Sequence, residues 1–183
     1  MNLTVNVAIG QKMSLIHILV KDLPGDNEAK AETIDNNLQH EIVKKMSSNS
    51  VYYGKLSEML KKIIMQRKIE AMSYEEYLRQ VVELAEAILH PETSGSYPDE
   101  IKDSAARRAL YDYFEQNVEL TIDVDGAIRV SIQPEWKRNF QKQQRIRLAI
   151  YKKLLLHSYS EDKATEETNN VFDIAQRQED RCV

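Results

Sequence analysis

A chain of 183 residues, with 42% hydrophobic and 30% charged residues, is long enough to bury one core and short for two. Five glycines and four prolines are too few for an all-β sandwich or barrel, which needs turn residues about every ten positions. The formal net charge of -4 excludes the overall basic footprint of a dedicated nucleic-acid binder, so any basic surface is local.

The first segment, Met1 to Val20, is partly apolar, but Asn2, Asn6, Gln11, Lys12 and His17 interrupt it. It lacks the positive start, unbroken apolar stretch and small-residue cleavage site of a signal peptide. No stretch of the chain approaches the roughly 20 apolar residues of a membrane span, so a soluble protein without membrane contact is expected. Residues 21 to 30, with Pro24-Gly25 at their centre, read as a turn that ends an N-terminal arm.

Ile34, Leu38, Ile42 and Met46 then recur every four residues, with Val43 widening the stripe, which predicts an amphipathic helix ended by Ser-Ser-Asn-Ser at 47 to 50. A second helix places Tyr52, Tyr53, Leu56, Met59, Leu60, Ile63 and Ile64 on one face. Ser73 and Glu76 form a capping box for a third, which runs through Tyr77, Leu78, Val81, Leu84, Ala85 and Ile88 until Pro91 forbids continuation. His90 to Asp99 is a loop. Asp103 or Ser104 is placed to cap a fourth helix, with Ala106, Leu110, Tyr113 and Phe114 facing inward.

Between 118 and 133 local signals favour a β-hairpin. Val118, Leu120, Ile122 and Val124 alternate, Asp125-Gly126 is a favoured two-residue turn, and Ile128, Val130 and Ile132 alternate again. After Pro134 and Trp136 the run Asn139 to Leu156 is helical, with Phe140, Ile146, Ala149, Ile150 and Leu154 spaced for burial, and a last helix spans about Ala164 to Gln176 through Val171, Phe172 and Ala175. The charged tail beyond it is expected to fray. Cys182, the lone cysteine, permits neither an internal disulfide nor a cysteine zinc site and fits a reducing cytoplasm.

Catalytic motifs are missing from this series. There is no glycine-rich turn followed by Lys and Ser or Thr to cradle phosphates, and His40-Glu41 has no second histidine four residues on. His17, His40, His90 and His157 stand singly, which favours surface or packing roles over metal ligation. Asp26, Glu28 and Lys30 superficially match a metal-dependent nuclease, but that site needs carboxylates and lysine on adjacent strands, and this stretch is a polar turn. Glu75-Glu76 and Glu166-Glu167 read as solvated helix faces.

One charge feature stands out. Lys137, Arg138, Lys142, Arg145, Arg147, Lys152 and Lys153 fall between Glu135 and Glu161 with no acid among them. Such a helix can meet an acidic partner surface or DNA phosphates, or it can be a solvated face whose last lysines complement the helix dipole.

Read in order, several segments form a pattern: Asp22-Leu23-Pro24, Ala31 to Asn37, Tyr52 to Leu60, Tyr74 to Leu78, Glu83-Leu84-Ala85, Arg108 to Tyr111 and Pro134 to Lys137. This series resembles the C-terminal region of the restriction (R, motor) subunit of type I restriction-modification enzymes, over nearly the whole chain, from about Leu15 to about Gln178. The resemblance implies a non-catalytic helical region that helps join the rest of the R subunit to the modification and specificity subunits. ATP and Mg²⁺ then belong to other domains of that subunit, and this chain carries no cofactor. The resemblance also implies more helix over 119 to 132 than the turn signals do.

The expectation is therefore mostly all-α, a bundle-like single domain over 1-183, with a short β-hairpin near 119-132 as the local alternative. Its parts are an arm and turn over 1-30, a first helical half over 31-90, a loop over 91-99, a second helical half over 100-177 and a tail over 178-183. Partner or DNA contacts are expected from Trp136, Lys137, Arg138, Phe140, Lys142, Arg145 and Arg147, since tryptophan and arginine dominate many interfaces. Trp136 is equally suited to plug the core.

Overall fold

The computed structural model describes residues 25-93 and 97-178. The expected arm up to Pro24, with His17, lies outside the described residues, as do 94-96 of the loop and the tail from 179 with Cys182. Among the described residues the fold is mostly all-α, with eight α-helices and no strand. They are α1 (Asn27–Lys45), α2 (Ser50–Lys68), α3 (Tyr74–Leu89), α4 (Asp99–Lys102), α5 (Ala105–Tyr113), α6 (Val118–Ser131), α7 (Phe140–Leu156) and α8 (Glu161–Arg177). Short 3-10 turns occupy Pro91–Thr93 and Trp136–Arg138. Contacts group the chain into two compact units: α1, α2 from Tyr53 onward and α3 in one, and Met46–Tyr52 with α4 to α8 in the other.

In the first unit, α1 buries Ala31, Ile34, Leu38 and Ile42 along one stripe, while Val43 falls off it and is 63% exposed. α2 contributes Tyr53, Leu56, Leu60 and Ile63, and α3 contributes Tyr77, Val81, Val82, Leu84, Ala85 and Ile88. Each of these large side chains is worth roughly 1.5 to 3 kcal/mol in transfer from water. Ser73 accepts from the Glu76 backbone N–H, as the capping box requires, but the Glu76 carboxylate turns to Arg79 and Gln80 instead of reaching back. Lys45 Nζ donates to the Ile88 carbonyl at 3.0 Å and so satisfies one orphan acceptor in the last turn of α3.

A buried polar cluster sits within this unit. Arg67 Nη2 lies 2.9 Å from Asp35 Oδ2, and both side chains are over nine-tenths buried. Arg67 Nη1 reaches Glu28 Oε2 at 2.5 Å, and the guanidinium stands over the Tyr77 ring, 5.3 Å from its centroid. The Tyr77 hydroxyl lies 2.8 Å from Asp35 Oδ1 and 3.0 Å from the Ala31 carbonyl and shares its one proton between these two acceptors, which ties α3 to α1.

The second unit starts each of its longer helices with a side-chain cap. Ser104, Asn117, Asn139 and Ser160 accept from the backbone N–H three residues on, at the heads of α5, α6, α7 and α8. Losing any one cap is expected to cost about 1 kcal/mol. Its core collects Leu110, Leu120, Val124, Ile128, Trp136, Ile146, Ile150, Leu154, Ala164, Val171, Phe172 and Ala175. α7 packs against both α6 and α8, so its buried stripe of Ile146, Ile150 and Leu154 lies at the centre.

The hairpin suggested near 119-132 does not form; those residues belong to α6. The same apolar series satisfies both periods, because Leu120, Val124 and Ile128 are four residues apart as well as alternating. Helical register buries these three together and leaves Val130 83% exposed. It also buries Asp125 completely, where Oδ2 accepts from Arg107 Nε and Arg129 Nε at 2.8 Å each. Those charge-assisted bonds remove Asp125 from turn duty, and they offset the roughly 1 kcal/mol that Gly126 costs inside a helix.

Gly126→Ala provides a direct check. An added Cβ meets nothing within 4 Å, so the substitution is expected to stabilise the protein by about 1 kcal/mol in denaturant titration. A type I′ turn at Asp125-Gly126 would instead require positive φ and make alanine destabilising.

Burial raises the phenol pKa of Tyr77 well above its ordinary value, and donation to the Asp35 carboxylate adds to the effect. The same causes raise Tyr97, whose hydroxyl donates to Asp112 Oδ2 at 2.6 Å. A folded value above the unfolded one, near 10, means that this stabilisation is complete below about pH 10 and is lost as pH rises further. Absorbance titration at 295 nm should therefore show Tyr77 and Tyr97 ionising only with alkaline unfolding. Ionisation of all nine tyrosines in one step near pH 10, with the fold retained, would contradict the burial.

Candidate docking surface

The residues expected to meet a partner lie on the 3-10 turn Trp136–Arg138 and on α7, all within the second unit. The structure sorts them into two groups. Trp136 is 1% exposed and meets the Phe172 ring edge-on, with centroids 5.9 Å apart. Glu135 adopts a left-handed φ of 60° just before it, and the chain turns there to carry the indole inward. Trp136 is thus the core plug that the sequence also allowed, and it offers almost no surface to a partner.

Several of the basic residues are engaged within the unit. Lys137 Nζ donates to the Gln178 carbonyl at 3.1 Å and lies 5.7 Å from the Trp136 ring centroid. Lys142 Nζ donates to the Pro134 carbonyl at 2.7 Å. The Arg147 guanidinium stacks over Phe172 at 3.8 Å from the centroid, with Nη1 on Asn169 Oδ1 at 2.5 Å. Lys153 and His157 both reach Asp123 Oδ2, at 3.3 and 3.1 Å. Hydrogen bonds from His157 and Lys153 lower the Asp123 pKa, so that carboxylate stays charged and fastens α7 to α6.

Arg138, Arg145 and Lys152 remain exposed, and their side chains have no hydrogen bond or ion pair among the described residues. Beside them stand apolar side chains open to solvent: Phe140 at 73%, Leu148 at 52% and Leu156 at 75%. Phe140, which the spacing suggested for burial and which was also expected at a partner contact, is the first residue of α7 and is exposed, so it does not join the core. Leu148 lies about 200° around the helix from Ile146 at 100° per residue, which is the face opposite the core stripe. Sequence reading placed Lys152 in the basic run but did not single out Leu148 or Leu156, although their distance from the Ile146, Ile150 and Leu154 stripe is a usable signal.

The outer face of α7 therefore alternates apolar and cationic groups, and no acid lies in the chain between Glu135 and Glu161. Such a face can bury apolar area against a partner while its guanidinium and ammonium groups meet carboxylates or phosphates.

The other candidates are placed differently. Asp26 caps α1 by accepting from the Ala29 backbone N–H, and Glu28 pairs with Arg67. The Asp26, Glu28 and Lys30 group thus sits at the start of a helix rather than on paired strands. His40 and His90 lie beside Glu41 and Glu92. Among the described residues no group of three or more His, Cys, Asp or Glu side chains is arranged to hold a metal ion, and no helix is long and apolar enough to cross a membrane. A scan against protein-family models, a search of curated proteins and a search of solved structures each found no match to this chain.

Proposed function

We propose that this chain is the non-catalytic C-terminal assembly region of a type I restriction enzyme R subunit, and that the outer face of α7 docks onto the modification and specificity subunits. The observation that carries the docking role is the exposure of Phe140, Leu148 and Leu156 among cations that have no partner among the described residues. Side chains of this kind are usually buried. Leu148 and Leu156 lie on the side of α7 away from its core stripe, with Arg145 and Lys152 between them, and Phe140 is exposed at the start of the same helix, so together they mark a surface that a partner covers. The ordered segments from Asp22-Leu23-Pro24 to Pro134-Glu135-Trp136-Lys137 support the choice of complex. In this reading ATP and Mg²⁺ act in other domains of the R subunit, and this region contributes binding energy only.

The partner surface that fits carries an apolar patch bordered by carboxylates, because Arg138, Arg145 and Lys152 need opposite charge nearby. The chain should co-elute with purified modification and specificity subunits on a sizing column at moderate salt. Separate elution would count against the proposal. A bare DNA-binding role has a different signature: three phosphate contacts give a log-log salt slope of about -3 and no base preference. Duplex DNA titrations are expected to stay weak, since phosphates leave Phe140, Leu148 and Leu156 uncovered. Tight, steeply salt-dependent duplex binding without co-elution would replace docking by the DNA-binding module.

A further inference from the structure

Within the second unit, an open cleft of about 300 Å³ lies between the end of α5 and the start of α8. Its lining is Tyr113, Phe114, Glu115, Tyr159, Lys163 and Glu167. Glu167, which the sequence placed on a solvated face with Glu166, instead accepts a hydrogen bond from the Tyr113 hydroxyl through Oε2. Tyr113 stands edge-on to the Phe114 ring at 5.4 Å. The Tyr159 phenol is held above its ordinary pKa by burial, and the carboxylates of Glu167 and Glu115 add to the effect. Two acids and three aromatic rings thus converge on one opening.

The rim is held in an unusual backbone conformation. Glu115 and Gln116 both have positive φ, 51° and 70°, although neither is glycine. Gln116 N–H donates to the Tyr111 carbonyl at 2.8 Å and Asn117 N–H to that of Phe114 at 3.1 Å, which closes the turn and keeps Glu115 at the cleft. Left-handed residues of this kind recur where a fold positions a functional group.

A cation already visits the site. Lys163 Nζ lies 5.0 Å from the Tyr159 ring centroid, over its face, and forms no ion pair with Glu167 one turn on. Ring faces carry partial negative charge and attract ammonium or guanidinium groups, and neighbouring carboxylates add charge and hydrogen-bond acceptors. Anions are disfavoured by the two acids.

We propose that this cleft binds the cationic side chain of a lysine or arginine from a partner polypeptide. Tyr159 supplies the ring face, Glu115 and Glu167 supply the opposing charge, and Lys163 is a tethered occupant that the incoming side chain displaces. The cleft uses none of the α7 face residues, and the inference does not depend on the docking proposal.

The test is a titration of the full chain with acetyl-Gly-Lys-Gly-amide, acetyl-Gly-Arg-Gly-amide and neutral acetyl-Gly-Gln-Gly-amide, followed by the NMR ring signals of Tyr113 and Tyr159. Both cationic peptides should shift these signals saturably, and the glutamine peptide should not. Lys163→Ala removes the competitor and should tighten binding, and Glu115→Gln should weaken it, each by roughly two- to fivefold, the size of one exposed cation-π or charge contact. Both side chains are exposed, so the fold is retained in either variant. Equal shifts from the neutral peptide, no saturable shift at tens of millimolar, or a Lys163→Ala variant that binds no more tightly than the parent would overturn the proposal.

Discussion

Trp136→Ala is expected to lower the free energy of unfolding by about 3 to 5 kcal/mol, the range for removing a large aromatic from a packed interior. The indole is 1% exposed and meets Phe172 edge-on, so alanine leaves a void among side chains fixed by α6, α7 and α8. For a chain of this length the loss corresponds to a fall in Tm of roughly 6 to 20 °C. Circular dichroism at 222 nm reads it, since the variant lacks the chain's only tryptophan. The folded variant should keep its affinity for a partner, because the indole is not on the surface. A variant of parental stability that no longer binds would instead make Trp136 an interface residue.

Asp35→Ala is expected to cost about 3 to 5 kcal/mol, because it removes one member of a buried ion pair and strands the other. Arg67 would keep only Glu28, whose side chain is 63% exposed, and its Nε has no hydrogen-bond partner among the described residues even in the parent. Tyr77 would lose one of its two acceptors and keep the Ala31 carbonyl. The double variant Asp35→Leu with Arg67→Met should recover most of the loss, since an apolar pair of similar volume is often as stable as a buried salt bridge. If the double variant is no more stable than Asp35→Ala, the damage comes from packing and the ionic account fails.

Apolar periodicity made most of this fold legible, and polar pairing did not. Ile34, Leu38 and Ile42, or Ile146, Ile150 and Leu154, announce a buried stripe because their spacing repeats with the helix. The partners of Asp35 and Asp125 are not visible in that way. Arg67 is 32 residues from Asp35, and Arg107 is 18 from Asp125, so only tertiary packing brings them together. The hairpin signals at 118 to 133 misled for that reason: turn chemistry at Asp125-Gly126 is local, whereas the Arg107 guanidinium that pairs with the buried Asp125 comes from α5.

The proposed docking face was half legible. A run of lysine and arginine without acids is plain in the sequence, but which cations are used internally depends on neighbours such as Asn169, Asp123 and the Pro134 carbonyl. Arg138, Arg145 and Lys152 emerge only once those partners are seen. Large apolar residues carry a similar ambiguity, because Phe140 and Trp136 look alike as interface candidates and only packing places one outside and the other inside.

Hydroxyl-radical footprinting of the chain, alone and mixed with modification and specificity subunits, measures the α7 face directly. Oxidation of Phe140, Leu148 and Leu156 should fall several-fold in the mixture, with Trp136 weakly modified in both states. Equal oxidation of those three side chains with and without the subunits would contradict docking through α7.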